Sequence, residues 1–245
     1  MSVRIVTHCW AGDLPQYAQF LKYQVSSLVL YRPRVKVGVT VCYCRDDADT
    51  MKVLQGMISH TTIKDFDLRG IAMSKEKLGR RSIGRNIAAK AAEEDIVWFA
   101  DVDMVFREGC LDELYAQFVG LQSKNVVMVY PTKIKIHKDH ETGDRAVENA
   151  RKSALKYVDV KPEDFGDKTY NRAIGGVQIV WGDFARKHGY LDGDMKWQQP
   201  RTDGKPFGDF RDDIAYRKFC SGYGRVQGIQ LPGVYRLRHT KTTYQ

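Results

Sequence analysis

What this chain lacks narrows its class before any motif is read. Its 245 residues contain no apolar run of the roughly 20 residues that a membrane-spanning helix needs, so no span is expected. Met1 leads directly into a polar-flanked apolar strand, and no signal peptide is visible. Only five cysteines occur, Cys9, Cys42, Cys44, Cys110 and Cys220, an odd number without a Cys-x-x-Cys spacing. A disulfide framework is disfavoured, and reduced, mostly buried thiols in a cytoplasmic setting are expected. Zinc-finger spacing, an RNP-like aromatic motif and a basic helix are all missing, so nothing points to a dedicated nucleic-acid module. There is no internal repeat and no low-complexity segment.

What is present describes an ordered α/β protein. Hydrophobic residues make up 43% and aromatics 11%, enough for a self-sufficient core at this length. The 39 Lys and Arg outnumber 30 Asp and Glu, for a formal net charge of +9. Because the basic residues are spread along the chain, this balance favours a phosphate-bearing small molecule over a nucleic acid. It leaves peripheral contact with an anionic membrane surface open.

Strand and helix signals alternate through the first hundred residues. Strands are expected at 3–9, 35–43 and 96–101, with a short strand or turn at 61–68 and helices at 14–31, 50–59 and 82–94. Ser82 is a plausible N-cap for the third helix. This alternation implies a mainly parallel, doubly wound sheet flanked by helices, a single compact domain of two halves. The halves are expected at 1–105, binding a nucleotide, and 106–245, binding an acceptor. A polar insertion or lid is expected around 133–168, with one helix from Asp144 to Tyr157. Residues 192–210, rich in Gly, Pro and aromatics, have the composition of a substrate-facing loop.

The most informative stretch is Ile96-Val97-Trp98-Phe99-Ala100-Asp101-Val102-Asp103, an apolar run that drives into two carboxylates. Asp-x-Asp also occurs at Asp47/Asp49, Asp65/Asp67 and Asp192/Asp194, but only the 101/103 pair ends a buried strand. Strand alternation would turn both side chains the same way at the sheet's carboxyl end, where open α/β sheets bind ligands. Paired carboxylates there suit a hard divalent cation that also holds phosphate oxygens.

Around this pair the order of motifs resembles a GT-A glycosyltransferase, a nucleotide-sugar-dependent enzyme, closest in look to family 2 and its relatives. Gly84-Arg85-Asn86-Ile87-Ala88-Ala89-Lys90-Ala91-Ala92 followed by the Asp101-x-Asp103 strand is similar to that family's Arg-Asn helix and metal strand. Gly175-Gly176, Trp181-Gly182-Asp183-Phe184 and Gly189-Tyr190-Leu191-Asp192 look like its acceptor side. Asp212-Asp213-Ile214-Ala215-Tyr216-Arg217 looks like its acidic, helix-opening motif. The chain departs from the family where Thr7-His8-Cys9-Trp10 ends the first strand and where Phe210-Arg211 stands in place of Glu-Asp.

The resemblance implies a hexosyltransferase that moves a sugar from a nucleoside diphosphate, UDP by family habit, to a hydroxyl of a carbohydrate or glycoconjugate. Mn2+ or Mg2+ would be held by Asp103, Asp101 and His239, the last reading equally well as a solvated histidine of a basic tail. Arg80, Arg81 and Arg85, at the start of a helix, would clamp the diphosphate. Asp46 and Asp47 would receive the base or ribose, although capping the following helix is an equally good role for them. Thr7 and Val102 complete the expected nucleotide contacts. Asp213 is the first choice for general base and Asp212 the second, one of the two facing the cleft while the other caps the helix. Such a base favours inversion. Trp181, Trp197 and Phe207 could stack on a sugar or pack in the core. Two other readings stay open: a sugar-phosphate nucleotidyltransferase, disfavoured because Trp10-Ala11-Gly12-Asp13 carries only one glycine, and a non-enzymatic polyanion-binding module.

Overall fold

A computed structural model describes residues 2–12, 14–60, 66–153, 157–202 and 211–238. The first half contains β1 (Ser2–Cys9), α1 (Gln16–Leu30), β2 (Lys36–Cys44), α2 (Ala48–His60) and β3 (Phe66–Met73). It continues through α3 (Lys75–Leu78), α4 (Arg81–Lys90), β4 (Ile96–Phe99) and β5 (Met104–Phe106). The second half opens with α5 (Cys110–Val119), β6 (Val126–Pro131), β7 (Lys133–His137), α6 (His140–Lys152) and β8 (Phe165–Thr169). It closes with β9 (Gln178–Trp181), α7 (Gly182–His188), α8 (Met195–Gln198), α9 (Asp212–Ser221), β10 (Arg225–Ile229) and β11 (Val234–Arg236).

Seven strands form the main sheet in the order β10-β6-β9-β4-β1-β2-β3. β3, β2, β1 and β4 run parallel, β9 runs antiparallel between β4 and β6, and β10 is parallel to β6. A smaller sheet follows the order β5-β11-β7-β8. The central strands read as continuous apolar runs because both faces are covered. Val3, Ile5, Val39, Val41, Ile96 and Trp98 pack with α1 and α5 in one core, which extends under the small sheet. Val6, Val97 and Phe99 point the other way, onto Ala88 and Ala89 of α4, Ala185 of α7 and Tyr216 of α9. Period-two alternation along β1 and β4 thus sorts side chains into two helical layers.

The mixed α/β sheet flanked by helices matches the architecture expected from sequence, with differences of detail. β3 spans Phe66–Met73, later than the expected 61–68, and pairs with β2 over its whole length. The 133–168 stretch supplies β7, α6 and β8, three of the elements around the second sheet, and its helix lies at His140–Lys152, earlier than 144–157. Asp139 sets that start, its carboxylate accepting from the Thr142 amide at 2.7 Å. Ser82 is not an N-cap: α4 begins one residue earlier, and the Ser82 hydroxyl donates to the Trp197 carbonyl of α8. All five cysteines are buried and free. No helix among the described residues is long and apolar enough to cross a membrane.

Candidate active site at the carboxyl ends of the parallel strands

The site is built where β4 runs out. Ala100 still bonds to Val6 of β1, but Asp101 leaves the strand, and a turn closes with the Met104 amide on the Asp101 carbonyl at 3.1 Å. Gln24, fully buried on α1, donates from Nε2 to the carbonyls of Asp101 at 3.0 Å and Met104 at 3.2 Å. The Leu237 amide donates to the Asp103 carbonyl at 2.8 Å. The two carboxylates therefore do not share a direction through strand alternation. A pinned turn places them, and one guanidinium joins them: Arg236 of β11 donates from Nε to Asp103 Oδ2 at 3.0 Å and from Nη2 to Asp101 Oδ2 at 3.3 Å.

Asp101 has two further cationic partners, Arg81 Nη1 on Oδ1 at 2.9 Å and Arg85 Nη2 at 3.5 Å. Burial alone would raise its pKa, but Arg81, Arg236 and Arg85 outweigh it and hold the carboxyl below its usual range. Asp101 stays ionised at any physiological pH.

Across from this pair stands the start of α9. Arg85 links the two sides. Its guanidinium is fully buried and donates from Nη1 to the Tyr190 hydroxyl at 2.8 Å and from Nη2 to the Gly175 carbonyl at 2.9 Å. The Tyr190 hydroxyl in turn donates a hydrogen bond to Gln178 Oε1 at 2.9 Å, and Gln178 Nε2 donates to the Asp213 carbonyl at 2.7 Å. The Gly175-Gly176 turn is fastened again by Trp98 Nε1 on the Gly176 carbonyl at 3.1 Å. A Cβ on Gly176 would stand 2.8 Å from Asp101 Oδ2, and one on Gly175 would stand 3.8 Å from Asp213 Oδ2. The glycine pair is the floor between Asp101 and Asp213, and its missing side chains let both carboxylates approach the same space.

Asp212 and Asp213 differ in surroundings. Asp213 is half-buried, and burial together with the neighbouring Asp212 charge pushes its pKa up from the ordinary carboxylate value. Asp212 is only 4% exposed and lies 3.8 Å from Arg85 Nη1 and 4.0 Å from Arg81 Nη2. It makes no N-cap bond, because the helix starts at Asp212 itself with Arg211 before it. The expected capping role gives way to that of a buried counter-ion.

Of the other candidate residues, Thr7 and Arg85 are placed differently from expectation, whereas Asp47 takes the capping alternative and Trp181 and Trp197 the core alternative. Thr7 is completely buried within β1, between β2 and β4, and presents no surface to a nucleotide. Arg85 is enclosed by Asp101, Asp212, Tyr190 and Gly175, so it organises the site from beneath and leaves no surface for clamping phosphate. Asp47 caps α2, accepting from the Thr50 amide at 3.1 Å and hydroxyl at 2.7 Å, and also takes the Ala11 amide at 2.5 Å. Those bonds tie down the loop after β1, while Asp46 beside it is exposed. Val102 is buried in the turn, Arg81 lines the edge of the cluster, and Arg80 lies 5.8 Å over the Trp197 ring. Trp197 is buried, and Trp181 stacks on Phe118 with ring centroids 4.0 Å apart, so both serve the core. His239, Phe207 and the approach residues Gly208, Asp209 and Phe210 lie outside the described residues.

Sequence reading missed Arg236, Gln24 and Gln178. Nothing local distinguishes Arg236 in a basic carboxyl-terminal stretch, since its partners lie more than 130 positions away. His8, at the end of β1, stands in the sequence only as a departure from a family pattern. It abuts α4 at Gly84, and burial followed by the Arg85 and Arg81 charges holds it neutral.

Among the described residues no three His, Cys, Asp or Glu side chains converge as a ready metal set. The donor chemistry nonetheless fits a hard divalent ion, two carboxylates being its preferred ligands.

No family model and no curated protein matches the sequence. Solved structures do. The mannosyltransferase PcManGT from Pyrobaculum calidifontis, in complex with GDP-Man and Mn2+, superposes with a TM-score of 0.59 at 14% identity, over 99% of this chain and 58% of that one. S. aureus TarS gives 0.58 at 10% identity, over 97% of this chain and 37% of that one. TarS residues 1–349 give 0.54 at 9%, over 96% and 60%. The chain therefore spans between 37% and 60% of the length of these proteins. At such identities the likeness is one of architecture, and the architecture is a GT-A-like fold.

Proposed function

We propose that this chain is a glycosyltransferase that moves a sugar from a nucleoside diphosphate sugar, with UDP as first choice, to a hydroxyl of a carbohydrate or glycoconjugate, with inversion. The observation that carries the proposal is the placement of Asp213, a half-buried carboxylate of raised pKa, across a side-chain-free glycine turn from the Asp101–Asp103 pair. A base on one side of a gap and a phosphate-handling acidic pair on the other are what direct displacement at an anomeric carbon requires. The fold supports the same reading, and PcManGT was solved with GDP-Man and Mn2+.

In this reading Asp213 accepts the proton of the attacking hydroxyl. Burial and the neighbouring Asp212 charge raise its pKa and make it a better proton acceptor than an exposed carboxylate. Asp212 and Arg85 fix the helix start that aims it. Arg81, at the edge of the cluster, and Arg80 would be the cations that meet donor phosphates, and exposed Asp46, after β2, would receive base or ribose hydroxyls. Asp101 and Asp103 would hold Mn2+ or Mg2+, with His239 as a third ligand. A bound divalent ion would supply charge neutralisation for the departing diphosphate.

The test is a panel of UDP-, GDP- and dTDP-sugars incubated with the protein, with and without Mn2+. Release of the nucleoside diphosphate from one donor, dependent on the cation and lost in Asp103→Ala, is the expected result. Release of pyrophosphate from a nucleoside triphosphate and a sugar phosphate would instead identify a nucleotidyltransferase, and binding of polyanions without turnover would remove the enzyme reading.

A further inference from the structure

Arg236 occupies the atoms that the proposed function assigns to a cation. Its Nε and Nη2 lie 3.0 and 3.3 Å from Oδ2 of Asp103 and Asp101, and its hydrogen bonds to side chains among the described residues go to these two groups. Arg81 and Arg85 cannot leave so simply. Arg85 is fully buried and also holds Tyr190 and Gly175, and both arginines face Asp212. Arg236 is different, with 27% of its side chain exposed. Its backbone is fixed by antiparallel pairing opposite Met104 and by the Leu237–Asp103 bond, so a movement of its guanidinium is a rotamer change with no refolding of β11.

We infer that Arg236 is the resident counter-ion of the Asp101–Asp103 pair, a positioning residue that a divalent cation must displace before it can bind there. The inference rests on the proposed reading of that pair as cation ligands. Four carboxylates, Asp101, Asp103, Asp212 and Asp213, meet three guanidinium groups, Arg81, Arg85 and Arg236, in the cluster. Its formal charge is therefore close to balanced without any metal. A divalent cation seated beside Arg236 would face like-charge repulsion at short range in a poorly solvated setting. Removal of Arg236 from the carboxylates leaves a partly buried guanidinium in need of an anion. A diphosphate is the partner whose oxygens match the guanidinium fork. The device makes a cation weakly held alone and well held once a nucleoside diphosphate can receive Arg236.

The test is titration of the full chain with MnCl2 in the absence of nucleotide, followed by electron paramagnetic resonance of free Mn2+ or by calorimetry. Arg236→Gln is expected to bind Mn2+ at least tenfold more tightly than the wild type, and Asp103→Asn added to that variant is expected to abolish the gain. Arg236→Lys, which keeps the charge but cannot bridge two carboxylates, is expected to gain about threefold and serves if the Gln variant does not fold. In the wild type, saturating UDP or GDP is expected to raise Mn2+ affinity by tenfold or more, and in Arg236→Gln by much less. Unchanged or weaker Mn2+ binding in the folded Arg236 variants overturns the inference, as does a gain that survives Asp103→Asn. Because the nucleotide-free titration reads Arg236 alone, its failure is separate from failure of the donor panel, which reads the glycosyltransferase proposal.

Discussion

Two adjacent aspartates carry opposite burdens, and single substitutions should separate them. Asp213→Asn keeps shape and removes the proton acceptor, so donor binding should persist while kcat falls by roughly a hundred- to ten-thousand-fold. The wild-type rate should fall on the acid side through a pKa above the ordinary carboxylate value, since burial and Asp212 favour the protonated form and only the ionised form acts as base. A kcat profile measured between pH 4 and 8 checks this, and the limb should vanish in Asp213→Asn. Asp212→Asn acts on stability, because it removes a charge from the surroundings of the fully buried Arg85. Because Arg85 keeps Asp101 at 3.5 Å as a second carboxylate partner, the loss should fall short of the roughly 3 kcal/mol or more of a buried charge left wholly unpaired while exceeding the about 1 kcal/mol of a lost helix cap. Denaturant melts of the two variants decide between a counter-ion and a cap, and a loss near 1 kcal/mol would favour the cap.

At the scale of elements, α4 joins the sheet to the candidate site. Gly84 faces β1 and β2 so closely that a Cβ would meet His8 Nε2 at 2.4 Å and Cys42 Sγ at 2.9 Å, both on buried residues. Gly84→Ala should therefore push α4 off the sheet. It should cost about 1–3 kcal/mol by overpacking, read as a melting temperature lower by several degrees. Arg81 and Arg85 ride on the same helix, so the substitution should also weaken donor binding without touching a ligand contact. Gly193 offers a contrast in mechanism: nothing lies within 4 Å of its added Cβ, but its φ of +82° penalises a side chain through the backbone alone.

For the whole molecule, the smaller sheet gives a pH dependence that is separate from catalysis. His137 of β7 packs on Phe165 with ring centroids 4.0 Å apart and accepts the Arg238 amide at 3.3 Å. Its pKa is lowered to about 4, mainly by burial, against the attraction of Asp164 and Asp139. The unfolded chain binds a proton at this position near pH 6.5, whereas the folded chain does not until about 4. The contribution to stability is thus fully present above pH 6.5 and is lost as the pH falls towards 4. Melting temperatures followed from pH 7 to 4.5 should drop, and His137→Gln should flatten part of that drop. An unchanged slope in the variant would show that carboxylates elsewhere control it.

How much of this could be read along the chain follows from range. The buried strand leading into Asp101 and Asp103, the alternation of strands and helices, the apolar faces of the central strands and the free thiols all depend on neighbours a few positions away, and each was legible. The glycine turn at 175–176 and the acidic opening of α9 were legible as motifs for the same reason. Partners were not. Strand order places β9 between β4 and β6, which brings Gln178 and the glycine turn beside Asp101, and β11 beside β5, which brings Arg236 onto the acidic pair from more than 130 residues away. Burial was decided there as well: it turned Arg85 from a phosphate clamp into an internal tie, Thr7 into core and Asp212 from a cap into a counter-ion. Local pattern specifies which groups are present and on which element, whereas charge compensation depends on which elements meet, and only the packed sheet and its helices determine that.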